Sequence, residues 1–115
     1  MTESDIQRAI QLACSNGDTR LFRNNVGLGW VGRIVSQTPD RIVLADYRPL
    51  HAGLCEGSSD LIGWTRGGVF TAIEVKAPRG RVSEAQQRFL DAVTRAGGRA
   101  GVARSVADAI TIVAP

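Results

Sequence analysis

Two carboxylates and an amine fall close together near the middle of this 115-residue chain. Asp60 precedes the run Leu61–Thr65, and Glu74 and Lys76 fall at the end of the run that starts at Val69. Val69, Phe70, Thr71, Ile73 and Val75 are strand formers, and Gly67-Gly68 separates the two runs as a turn. On a strand, Glu74 and Lys76 are two apart and so share a face. A three-residue loop at Arg66, Gly67 and Gly68 would set Thr65 opposite Val69 and Asp60 opposite Glu74, with directly opposed β-carbons roughly 5 Å apart. Two carboxylates that close repel, and a divalent cation is the simplest remedy. A two-residue loop would give another register. The same spacing also suits a structural ion pair between Lys76 and a carboxylate.

The elements that would position these residues are readable in order. Thr2 or Ser4 caps a first helix with its apolar stripe at Ile6, Ile10, Ala13 and Cys14, stopped by Ser15-Asn16-Gly17. Glu3, three residues before Ile6, either leans toward the buried face or is a solvated first-turn acid. Arg20–Asn25 reads as a short strand whose end carries Arg23, Asn24 and Asn25, suited to phosphate or to starting a turn. Gly27-Leu28-Gly29-Trp30-Val31-Gly32 spells the dinucleotide-binding pattern but is followed by strand, not helix, so a flexible loop is expected there, with Trp30 packed or stacking. Val31–Gln37 and Arg41–Asp46 bracket the turn Thr38-Pro39-Asp40 as a hairpin, and 47–56 reads as loop, with His51 a secondary candidate for a general base.

After Lys76, Ala77-Pro78-Arg79-Gly80-Arg81 breaks the strand and offers Arg79 and Arg81 to phosphate. Ser83 caps a second helix with Gln86 as its capping-box partner and an apolar stripe at Ala85, Phe89, Ala92, Val93 and Ala96. A strand over 99–104 and a helix capped by Ser105 close the chain. The order helix, strand, hairpin, hairpin, helix, strand, helix predicts an α/β domain, a mixed β-sheet flanked by helices, over residues 1–115.

Composition narrows the function classes. No apolar run approaches the roughly 20 residues of a membrane span, and the acidic Met1–Asp5 start is unlike a signal peptide. Cys14 and Cys55 have no metal-ligand or redox spacing, and His51 is the only histidine, which excludes a Cys/His zinc site. A cytoplasmic, reducing setting is expected. The net charge of +3 permits nucleic-acid binding. Every basic residue is Arg except Lys76, a lone lysine on an apolar strand.

The ordered set of motifs resembles a known family. An Asp, a hairpin turn and Glu-x-Lys on the next strand are similar to the site of restriction-endonuclease-like nucleases. Gly57-Ser58-Ser59-Asp60-Leu61-Ile62-Gly63, Ile73-Glu74-Val75-Lys76, Ser83-Glu84-Ala85-Gln86-Gln87-Arg88-Phe89 and Glu3-Ser4-Asp5-Ile6-Gln7 resemble the VRR-NUC, or virus-type replication-repair nuclease, family over nearly the whole chain. Many members have Pro where Ser59 stands. The resemblance implies a PD-(D/E)XK core and a Mg²⁺-dependent DNA endonuclease in which Mn²⁺ substitutes. Asp60, Glu74 and the main-chain carbonyl of Val75 would hold the metal, which would acidify water and offset charge building on phosphorus. Lys76 would position the attacking water or help stabilise developing charge, with Glu3 and Gln86 lining the site; from their placement, not from the resemblance, Arg23, Asn25, Arg79 and Arg81 are the candidates to meet DNA.

Stand-alone members, largely from phages and bacteria, resemble homodimeric Holliday junction resolvases, which implies DNA repair or recombination in a bacterial or phage-infected cell. A flap or single-strand nuclease, and a non-catalytic DNA-binding module on the same fold, remain as alternatives.

Overall fold

The helices begin where capping residues stand. In the computed structural model, which describes residues 1–115, α1 spans Glu3–Cys14, followed by β1 (Arg20–Arg23), β2 (Gly27–Thr38), β3 (Arg41–Ala52), β4 (Leu61–Thr65), β5 (Val69–Val75), α2 (Glu84–Arg95), β6 (Arg99–Ala103) and α3 (Val106–Val113). Thr2 closes a capping box with Asp5, and Ser83 closes one with Gln86. Ser105 caps α3 through the Asp108 N–H.

Four strands form one mixed sheet in the order β1-β4-β5-β6. The β4–β5 hairpin has the expected register, from Thr65 opposite Val69 to Leu61 opposite Ile73. Its three-residue loop works because Gly67 and Gly68 take φ of 84° and 73°, which side chains resist. β6 runs parallel to β5, with α2 as the crossover. α1 and α3 cover one face through a core of Ile6, Ile10, Cys14, Leu21, Leu61, Ile73, Val75, Ala103 and Ala109. α2 packs on β5 and β6, and only its Leu90 is buried. The expected stripe is thus less covered than its pattern suggests: Phe89 and Val93 are half-buried, and Ala92 and Ala96 are exposed.

β2 and β3 form a separate antiparallel ribbon. Two expectations are corrected here. Gly27–Gly32 is the start of strand β2, not a flexible loop, and Tyr47–Ala52 extends β3 where loop was expected. Glycine and proline mark breaks in sequence, but this ribbon has no sheet neighbour, so every residue keeps one open edge and tolerates them. Trp30 packs edge-on against Tyr47, ring centroids 5.6 Å apart, yet remains exposed. The ribbon lifts the radius of gyration to 16.4 Å, above the roughly 13 Å of a compact chain this long.

Gly63 lets β1 and β4 approach: a β-carbon there would collide with the Arg20 carbonyl. Gly63→Ala should therefore lower stability by about 1–3 kcal/mol, as overpacking does. Urea denaturation measures it, and an unchanged midpoint would mean that β1 is free to shift.

Candidate active site

Asp60 stands one residue before β4 and Glu74 is the penultimate residue of β5, so the register that pairs Leu61 with Ile73 brings their carboxyl groups together. Asp60 Oδ2 accepts a 2.9 Å hydrogen bond from the Val75 N–H. Glu74 is 2% exposed. Burial pushes its carboxyl up to about 8, with a hydrogen bond to Asp60 and the Asp60 charge adding to the effect; Lys76 opposes it and Glu3 adds slightly. Lys76 Nζ lies 3.7 Å from Glu74 Oε1. This is the ion pair that spacing alone allowed, and it coexists with the carboxylate pair. Glu74 Oε2 is buried without a hydrogen-bond partner.

That orphaned oxygen tests whether a cation fits. A buried carboxylate oxygen without a partner lacks a counterpart for its charge. A cation beside Asp60 and Glu74 would supply one and lower the proton affinity of Glu74. No three His, Cys, Asp or Glu side chains converge anywhere in the chain. An ion here would thus have two carboxylates, with carbonyl, water or phosphate oxygens as its remaining ligands. Mg²⁺ accepts such a set, because it keeps several waters and commonly binds through one or two carboxylates.

The other expected residues divide. Glu3 Oε2 accepts from the Ala77 N–H at 3.4 Å, so the first residue of α1 leans onto the end of β5. Glu3, Arg23, Asn25, Asp60 and Val75 line one cleft of about 210 Å³, together with Ser4 and Gln7. Arg79 and Arg81 are exposed in the loop after β5, and neither they nor Arg23 forms an ion pair. Gln86 Oε1 accepts from the Ser83 N–H at 2.9 Å, so its carbonyl is engaged in the capping box. His51 lies on β3 of the ribbon, opposite Leu28.

Three supporting residues are not apparent from motif spacing. Asn24 is buried; its Nδ2 donates to Ser58 Oγ and the Ser59 carbonyl, its Oδ1 accepts from the Leu54 N–H, and its own N–H donates to the Asp60 carbonyl. Gln7 Nε2 donates to the same Asp60 carbonyl at 3.4 Å. Arg104 Nη1 donates to the carbonyls of Ala77 and Gly80 at 2.8 Å each, fixing the loop that carries Arg79. Asn24 lay within a run already marked as polar, and Gln7 stands one helical turn after Glu3. Nothing local distinguishes Arg104.

A family model of the VRR-NUC domain matches residues 2–107 of the chain. No curated protein gives a significant match. The domain implies nuclease activity, and hence DNA as substrate.

Two outcomes follow from the site's energetics. Below about pH 4.5, its ordinary value, the Glu74 carboxyl is protonated in folded and unfolded chain alike. Between 4.5 and about 8 the folded state holds the extra proton, so stability without divalent ions should fall as pH rises through that window and level off above it. Glu74→Gln should flatten the fall in thermal melts at matched ionic strength. Asn24→Ala should cost about 1–3 kcal/mol by leaving buried groups unpaired. Ser59→Ala should cost nothing, because the buried Ser59 hydroxyl has no partner; equal losses for the two in chemical denaturation would contradict the role of the Asn24 hydrogen bonds.

Proposed function

We propose, on the premise that this chain belongs to the VRR-NUC family of nucleases, that it is a Mg²⁺-dependent endonuclease acting as a homodimer on four-way DNA junctions. The observation that supports metal dependence is the buried Asp60–Glu74 pair with one oxygen unpartnered. Asp60, Glu74 and the Val75 carbonyl would hold the ion. When bound, Mg²⁺ supplies Lewis acidity toward phosphate oxygens and water.

The chain's own residues do the rest. Val75 N–H holds the Asp60 carboxylate in place. Lys76, largely buried beside Glu74, presents its amine to the attacking water or to the charge that builds on the phosphate. As the new bond forms between water oxygen and phosphorus, one ester P–O bond breaks and the leaving oxygen takes up a proton. Arg23 and Asn25 on one wall, and Arg79 and Arg81 beyond β5, supply phosphate contacts. A four-way junction has two-fold symmetry, which a two-fold dimer matches with one site per cut strand.

Asp60→Asn, Glu74→Gln and Lys76→Ala should each lower junction cleavage by at least about 100-fold while gel-shift affinity persists. Wild-type rates for Glu74→Gln would overturn the metal assignment, as would cleavage that survives exhaustive EDTA treatment. Mn²⁺ should replace Mg²⁺, whereas Ca²⁺ should favour binding over turnover. Removing Arg23, Arg79 or Arg81 should weaken binding to every sequence and reduce the salt slope by about one ion per lost contact.

A further inference from the structure

Arg104 Nη1 reaches three carbonyls of a single turn: Ala77 and Gly80 at 2.8 Å each, and Pro78 at 3.4 Å. The turn itself is closed by the Gly80 N–H, which donates to the Ala77 carbonyl at 2.9 Å, with Pro78 in the second position. Arg104 forms no ion pair. A cation that takes carbonyls in place of a carboxylate fixes backbone geometry, and such charge-assisted bonds are roughly twice as strong as neutral ones.

Arg104 is held in its turn. Its N–H donates to Asp108 Oδ2, in the first turn of α3, at 2.9 Å. One residue earlier, the Ala103 carbonyl accepts from the Lys76 N–H at 3.1 Å. The end of β6 therefore grips the end of β5 twice, once at the Lys76 backbone and once at the turn beyond it. That turn bears on the Lys76 side chain directly. A β-carbon on Gly80 would stand 3.4 Å from the Lys76 β-carbon and 3.3 Å from Glu3 Oε2. The Gly80 main chain is thus a wall beside the base of the Lys76 stem, whose Nζ ends 3.7 Å from Glu74 Oε1. A lysine stem is flexible, and a wall at its base narrows where the amine can go. Burial, Asp60, Lys76 and Glu3 set the proton of Glu74, and Arg104 is not among them. Its guanidinium acts on the turn, not on the carboxylates.

We infer that Arg104 is a positioning residue for phosphodiester cleavage: through the 77–80 turn it keeps the Lys76 amine aimed into the cleft. The inference rests on the nuclease reading above and adds to it a residue that touches neither DNA nor metal.

Single-turnover cleavage of branched DNA in Mg²⁺ tests it, with affinity for the same DNA measured in Ca²⁺. Arg104→Met keeps the stem and removes the donors. It should slow cleavage by about 10–100-fold, the scale on which a displacement of about 1 Å remote from the chemistry acts, and should change affinity far less. In a Lys76→Ala background the same substitution should add little, because residues that act as a unit are not additive. Arg104→Lys should recover part of the rate. Gly80→Ala, which presses the turn off Lys76 and leaves Arg104 in place, should repeat the pattern, and it decides if circular dichroism shows Arg104→Met unfolded. A folded Arg104→Met that cleaves at the wild-type rate overturns the inference. So do losses that multiply in the double variant, and so does a loss confined to affinity, which would make Arg104 only a support for Arg79. In each of these cases wild type still cleaves and Lys76→Ala still does not, so the nuclease reading stands. A wild type without Mg²⁺-dependent cleavage overturns that reading and this inference with it.

Discussion

The cleft is governed by one electrostatic problem: two carboxyl groups held side by side where little water reaches. Burial disfavours the Glu74 anion, and Asp60 beside it disfavours it again. The pair is tolerated without a cation because it holds a proton, as like acids in contact generally do. A divalent ion bound there, as proposed, would have to displace that proton from the two oxygens. Lys76 moderates the repulsion without removing it, which leaves the site responsive to pH.

Such a pair would push its strands apart unless the backbone were held. The restraint comes from peptide groups more than from neighbouring charges. Asn24 and Gln7 both converge on the Asp60 carbonyl, and the Val75 N–H grips the Asp60 carboxylate. Arg104 ties down the loop after β5. These contacts join α1, the end of β1, the start of β4, the end of β5 and the end of β6. Glu3 and Ala77, 74 residues apart, meet across the same end of the sheet. The site exists only once the whole sheet has formed, so weakening any of several distant elements loosens it.

What the sequence made legible was local. Gly67-Gly68 set a short loop, the loop set the register, and the register opposed Asp60 and Glu74; that chain of inference needs no tertiary information. The capping boxes at Thr2 and Ser83 were legible for the same reason. Asn24, Gln7 and Arg104 were not, because their partners are backbone carbonyls from other elements and leave no side-chain pattern. The length of the ribbon was obscured by Gly27, Gly29, Gly32 and Pro49, which signal a loop in a sheet interior but are admissible in a pair of edge strands. The α2 stripe was legible as a pattern; that the chain covers only part of it was not, since periodicity records which face is apolar and not what meets it.

The ribbon contains two irregularities that offset each other. Between Val31 and Arg33, β3 carries one extra residue, in the stretch of Asp46, the only non-glycine residue with positive φ at 52°. Between Ile34 and Ser36 the extra residue, Val35, belongs to β2. Pairing is displaced by one residue over the short segment between them and restored at the tip. Change at this ribbon is therefore constrained in steps. Losing one residue from a single strand would leave the tip out of register and exchange the faces of its side chains, whereas matched losses from both strands would shorten the ribbon and keep its faces. Length variation among related chains should thus occur in even numbers of residues, with the two irregularities gained or lost together.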